Sequence, residues 1–231
     1  MKKKNILCAV LSNAAIILLV TVLFFVCKPF PVVAPVFAPY YSGEKDSGNV
    51  SLMFNVYERS DNVRKILTIL NEKKVSCTFF VGGVWAEKNM DLLREMPSYG
   101  ELGNHGYLHK DHKTLSVERN KEEIRLCHKL VETVTGIRMN LFAPPSGSYG
   151  EACLNVCKEN GYSVIMWSKD TIDWRDKDRD LVLKRATSDI QSGDLILMHP
   201  TDHTVEALPL IIDTIKQKGF RLVTVSETLG L

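Results

Sequence analysis

An α/β fold is what the sequence predicts: a distorted (β/α) barrel of about seven strands preceded by one N-terminal transmembrane helix. Three observations carry this expectation. From residue 50 to the C-terminus, short apolar runs alternate with amphipathic helical patterns. No sustained β-hairpin signal interrupts them, which implies parallel strands covered by helices. The first strand is followed by Asn55-Val56-Tyr57-Glu58, without the glycine-rich turn of a doubly wound nucleotide-binding sheet.

The chain has 231 residues, 45% of them hydrophobic and 24% charged, which suits one α/β domain with a short appendage. It opens on Lys2-Lys3-Lys4 and continues through residues 6–26 with only Ser12, Asn13 and Thr21 as polar interruptions. About 20 such residues cross a bilayer as a helix, and the basic flank holds that end in the cytoplasm. Residues 1–27 are therefore expected to be a cytoplasmic basic start and a transmembrane signal anchor. The remainder would then lie outside the cytoplasm at the cell membrane. Secretion after signal cleavage is the alternative. The run is longer than the roughly 7–15-residue core of a signal peptide, and the cleavage candidate Val36-Phe37-Ala38 is followed by Pro39.

Residues 28–48 carry Pro29, Pro31, Pro35 and Pro39 and read as an extended linker, with the folded domain at 49–231. The net charge is +2 and three of the basic residues are the N-terminal lysines, so no basic face offers itself to nucleic acid. No protein partner is inferable. Cys77, Cys127, Cys153 and Cys157 include no C-x-x-C pair and read as free core thiols.

Strands are expected at residues 50–54, 75–81, 101–104, 139–142, 163–167, 194–198 and 220–223. Helices fall between them at 61–73, 86–96, 116–135, 151–160, 179–190 and 204–218. In the first helix Val63, Ile66, Leu67 and Leu70 share a face, and Ser116 is placed to cap the long helix of the third unit.

The unusual polar residues follow strands. Asn55 ends the first; His105 and His109 follow the third; Pro144-Pro145-Ser146-Gly147 follow the fourth. Asp170, Asp173 and Trp174 follow the fifth, and His199 the sixth. In a (β/α) barrel all these positions meet on the C-terminal face, where barrel enzymes carry their sites. His105 and His109, four apart, face one way in a helical turn and suit a divalent transition ion, zinc or similar, or else form an exposed helix face. His199 reads as a general acid, or as a strand-end histidine bonded to a loop; Asp170 or Asp173 would fix its tautomer. Trp174 would line a sugar groove, since an indole face suits pyranose C–H surfaces. His112 reads as a solvated loop residue.

In order and spacing these segments resemble the polysaccharide deacetylases of the NodB-homology group, carbohydrate esterase family four. The resemblance runs from about Val50 to the C-terminus. It rests on Met53-Phe54-Asn55-Val56 against T-F-D-D, on Cys77-Thr78-Phe79-Phe80-Val81-Gly82 against A-T-F-F-V-G, and on His105-Gly106-Tyr107-Leu108-His109 against H-[ST]-x-x-H. Phe142-Ala143-Pro144-Pro145-Ser146-Gly147 answers the R-P-P-Y-G-like loop, Asp170-Thr171-Ile172-Asp173-Trp174 the D-x-x-D-W-like loop, and Leu197-Met198-His199 the late L-x-H. Sporulation-associated bacterial deacetylase-like proteins are especially similar.

The resemblance implies a NodB-type barrel that removes N-acetyl groups from a cell-envelope glycan, peptidoglycan or a related N-acetylated polysaccharide, by metal-assisted amide hydrolysis. It implies a metal on His105 and His109 and a general acid at His199 oriented by an aspartate of the Asp170–Asp173 loop; Asp170 is expected as the catalytic one, with substrate contacts from Pro144, Pro145, Ser146, Asp173 and Trp174. Three positions depart from the pattern. Asn55 stands in place of the base, and a carboxamide takes up no proton at physiological pH. Val56 replaces the metal-binding aspartate, leaving Asp61 or Glu58 as the third ligand. Ala143 replaces an arginine. The alternative expectation is a catalytically impaired glycan-binding pseudoenzyme of the same fold.

Overall fold

The computed structural model describes residues 4, 11, 13–22 and 37–231. It comprises two units, Met1–Val36 and Phe37–Leu231. In the first unit residues 13–22 are helical. The rest of the expected span at 6–26 lies outside the described residues, apart from Leu11. Among the described residues no helix is long and apolar enough to cross a membrane.

The second unit is a curled parallel sheet. Strand β1 (Asn49–Val56) pairs on one side with β2 (Cys77–Val81) and on the other with β7 (Leu195–Met198), and its first residues also pair with β8 (Arg221–Leu222). Beyond β2 come β3 (Gly100–Asn104), β4 (Leu141–Phe142) and β5 (Ser163–Val164); beyond β7 comes β6 (Lys169–Asp170). The strand expected at 163–167 is therefore confined to residues 163–164, and a second short strand follows it at 169–170. Residues 163–170 cross from one sheet edge to the other, with Ile165 N donating to Phe142 O at 2.8 Å and Ser168 N to Leu195 O at 3.1 Å. No ladder joins β5 to β6 among the described residues, so this single segment closes the curl.

Helices α1 (Ser60–Lys73), α2 (Gly83–Lys88), α3 (Met90–Glu95), α4 (Val117–Thr135), α5 (Glu151–Glu159), α6 (Arg179–Thr187) and α7 (Asp202–Gln217) lie between successive strands. Ser116 caps α4 by accepting from Arg119 N, and Gly136 ends it at φ 76°, a left-handed conformation that costs glycine little. The four cysteines of this unit are free and buried.

Period-two alternation divides the core into two layers. Leu52, Phe54 and Val56 point outward and pack with Val63, Ile66 and Leu70 of α1 and with Phe79 and Val81 of β2. Met53 points inward with Phe80, Leu141, Ala143, Ile165, Leu195 and Leu197. A short helix absent from the sequence expectation, α8 (Val225–Leu229), plugs the lower end of this inner layer. Val225 joins the inner cluster, its N–H donates to Thr78 Oγ1, and Glu101 accepts from Thr78 Oγ1 at 2.8 Å and from Ser226 N at 3.2 Å.

Residues 37–48, expected as the end of a linker, belong to this unit. Tyr40 bridges Ile165 in parallel, Gly43 N donates to Gly193 O at 2.8 Å, and Glu44 N donates to Thr228 O at 3.0 Å. A proline-rich composition weakens helix and sheet interior propensity, but it does not prevent an edge segment from hydrogen-bonding.

Inside the curl, Gly103 shares a face with Phe80, and a Cβ on it would come within 2.5 Å of the Phe80 ring. The ring fills the volume that a side chain would need. Gly103→Ala should therefore destabilise the domain by about 2 kcal/mol through overpacking, read as a lower midpoint in chemical denaturation.

Candidate active site

A cavity of about 310 Å³ opens at the C-terminal ends of the strands, lined by Asn55, Tyr57, His105, His109, Ser146, Trp167, Asp170, Trp174, Leu197 and His199. Five segments that are distant in sequence reach it because parallel strands end on one face.

His105 is fully buried, and its Nδ1 meets Ala143 O at 2.7 Å. That carbonyl requires the proton on Nδ1, which turns an unprotonated Nε2 toward the cavity. Nε2 has no protein partner. The turn between the two histidines depends on Gly106 at φ 73°, where the family pattern has Ser or Thr. It depends also on buried Glu123, which accepts from Tyr107 N at 2.9 Å and Leu108 N at 2.7 Å. His109 sits in the left-handed region at φ 54°. Its ring packs on Tyr57, with centroids 4.1 Å apart, and lies 5.1 Å from the His105 ring. Burial, with His109 beside it, holds His105 well below the usual imidazole range, and burial lowers His109 as well.

On the opposite wall His199 Nδ1 meets Asp173 Oδ1 at 2.8 Å, while its backbone N donates to Oδ2 at 2.6 Å. Thr204 Oγ1 donates to the same Oδ2 at 2.6 Å. A carboxylate so placed accepts from Nδ1–H and fixes that tautomer, leaving Nε2 for the cavity. Asn55 is buried, and its Oδ1 has no hydrogen-bond partner. Trp174 stands at the rim, 57% exposed, with the Arg175 guanidinium 5.8 Å from its ring. Trp167 is pressed against Gly147, where a Cβ would meet the indole at 2.6 Å. Burial, then the nearby carboxylate of Glu58, pushes the Tyr57 phenol above its usual range.

The sequence profile of the family described as polysaccharide deacetylase matches residues 42–165. The chain belongs to this family. It is 37% identical over 192 residues to the uncharacterized protein YlxY of Bacillus subtilis, covering 83% of this chain and 60% of that protein. It is 31% identical over 172 residues to a peptidoglycan-N-acetylglucosamine deacetylase of Bacillus cereus, covering 71% of this chain and 80% of the relative. Among solved structures, a carbohydrate esterase family 4 pseudoenzyme from Bacillus anthracis superposes with a TM-score of 0.81 at 34% identity, covering 84% of this chain and 69% of that one. A mutant of that pseudoenzyme with restored enzymatic activity superposes equally well, at 0.81 and 32% identity, covering 84% and 71%.

Deacetylases of this family are metal-dependent. The unpartnered, buried Nε2 of His105 suits a ligand atom, but the rest of the set does not fit. Among the described residues no three His, Cys, Asp or Glu side chains come together to hold a metal. Neither Glu58 nor Asp61 lines the cavity. Glu58 turns to Arg59 at 3.6 Å, and Asp61 is exposed in the first turn of α1. Val56 is buried in the outer layer. Two imidazoles leave a divalent ion two ligands short of a tetrahedral set.

Several sequence expectations change. Asp173, expected at the substrate, is 1% exposed and orients His199; Asp170, expected as the catalytic one, lines the cavity and accepts from Ile172 N at 2.8 Å. A left-handed Ile172 at φ 54° reverses the loop between them. Pro144 and Pro145 are buried beneath the loop, and only Ser146 of that motif reaches the cavity. His112 is fully buried, with Nδ1 2.7 Å from Asn120 Oδ1, and is no solvated loop residue. Tyr57, Trp167 and Glu123 were not foreseen. Extending the alternation of β1 past Asn55 would have put Tyr57 on the same face.

Asp173→Asn should cost about 2 kcal/mol of stability, because a carboxamide cannot accept from all three donors. Nitrogen-15 NMR of His199 should then register a mixture of tautomers where the wild type holds one. The two depressed imidazoles also give a pH signature. As pH falls through about 6.5 the unfolded chain takes up protons that the folded chain refuses, so stability is full above that value and declines below it. His105→Gln should make the decline between about pH 6.5 and 5 shallower in denaturation titrations.

Proposed function

We propose that this chain binds an N-acetylated cell-envelope glycan, peptidoglycan or a related polymer, in the cavity of its deacetylase-like domain without hydrolysing it. One observation carries the reading. The strand-end position that would activate a water holds Asn55, and among the described residues no metal-binding set stands beside it. Ala143 adds no cation, since its buried methyl sits in the inner apolar cluster.

What remains suits recognition. Asn55 Oδ1, His105 Nε2 and the free nitrogen of His199 accept hydrogen bonds, and acetamido N–H and sugar O–H groups supply them. The exposed face of Trp174 suits the C–H side of a pyranose. A pseudoenzyme among the relatives, and a deacetylase named for peptidoglycan N-acetylglucosamine, support both halves of the reading. The apolar run after Lys2-Lys3-Lys4 supports a membrane-anchored domain outside the cytoplasm. The retained His199–Asp173 pair favours the second reading, a deacetylase with a rearranged site.

Acetate release from N-acetylglucosamine oligomers and peptidoglycan, together with calorimetric binding of the oligomers, separates the two. The full-length wild type should bind oligomers and release no acetate above the buffer rate. Trp174→Ala should weaken binding about tenfold, on the order of 1.4 kcal/mol. Asn55→Asp alone should restore no release, having neither a metal nor a cation beside it. Release by the wild type that disappears in His199→Ala would establish hydrolysis instead.

A further inference from the structure

The family pattern places a metal-binding aspartate at Val56, yet the strand turns Val56 away from the histidines. Val56 registers with Val81, and both side chains belong to the layer between sheet and helices. The positions of β1 and its continuation that line the cavity are Asn55 and Tyr57. Residue 57, two beyond the asparagine, is therefore the one that meets the histidine pair from this strand. Its ring centroid lies 4.1 Å from His109 at 36°, and 6.1 Å from both His105 and His199. A phenol ring thus stands among three imidazoles.

We propose that Tyr57 is the specificity-determining residue of this cavity: it keeps divalent ions off the His105–His109 pair and offers a neutral aromatic wall to an uncharged ligand. An ion bound to both imidazoles at about 2.0–2.1 Å needs at least two further ligands close by. Tyr57 fills part of that space and brings no carboxylate. His105 Nε2 is left to a donor on the ligand, such as an amide N–H or a sugar hydroxyl. The ligand's class rests on the glycan reading, whereas the exclusion of the ion does not.

The test uses the full-length chain and two probes, Co(II) followed by its visible absorption and Zn(II) followed by calorimetry. Wild type and Tyr57→Phe should give no saturable binding up to millimolar ion. Tyr57→Asp, which removes the ring and supplies a carboxylate on the cavity side, should bind one ion, with affinity raised roughly 100-fold or more, the upper end of what a supporting residue is worth. Adding His109→Ala to it should abolish that gain. Val56→Asp, facing the outer layer, should gain nothing. Stoichiometric binding by wild type, or a gain in Val56→Asp that Tyr57→Asp lacks, overturns the proposal. If circular dichroism finds Tyr57→Asp unfolded, Tyr57→Ala takes its place and should bind weakly through His109; a folded alanine variant with no gain overturns the proposal as well. Titration with an N-acetylglucosamine tetramer reads the second half separately: Tyr57→Phe should keep the wild-type affinity and Tyr57→Ala lose it. A wild type that binds no tetramer refutes the glycan reading and leaves the metal result standing.

Discussion

Strand β1 governs the domain, because three other strands hydrogen-bond to it and its two faces belong to different structures. One face is hydrocarbon packed under helices, and the other is the inside of the curl, ending in the cavity. A strand cannot shift by one residue without exchanging these faces. The identity of the side chains that reach the cavity is therefore fixed by a register locked along eight residues. Chemistry at the mouth of the curl follows from packing far below it.

The cavity is also arranged around neutral groups. The Asp173 carboxyl is turned inward to His199 and Thr204, and Glu123 is spent on backbone N–H groups of the histidine turn. The groups presented to a ligand are a carboxamide, imidazoles, hydroxyls and aromatic rings, and Asp170 is the one carboxylate among the lining residues described. An arginine at position 143 would have no carboxylate at position 55 to pair with, and a buried unpaired charge is costly. Against the family pattern, an asparagine at position 55 and an alanine at position 143 are in this sense one change.

Much of this was legible in the chain. The alternation of apolar runs identified the parallel α/β architecture, and post-strand placement picked out Asn55, His105, His109, Ser146, Asp170, Trp174 and His199, all of which line one cavity. Spacing could not tell which aspartate of Asp170-Thr171-Ile172-Asp173 turns inward, since that depends on a left-handed Ile172, an unusual conformation for a branched side chain. It could not place His112 either, whose burial rests on Asn120 eight residues away. The split of residues 163–170 between two sheet edges was hidden for a different reason. Local propensity describes a strand, whereas a change of partner along it is a tertiary event.

The segment at residues 40–44 adds a mechanical dimension. Tyr40 N donates to Val164 O at 2.8 Å and Tyr40 O accepts from Met166 N at 2.7 Å, on the same crossing segment that closes the curl. Two further backbone bonds, to Gly193 and Thr228, fasten the next turn. Tension applied to the chain ahead of Tyr40 would load the two Tyr40 bonds before those of Gly43 and Glu44. The Tyr40 partners' neighbours in the chain are Trp167 and Asp170, at the wall of the cavity. A pull at this end would deliver its force to the seam of the sheet, next to the cavity.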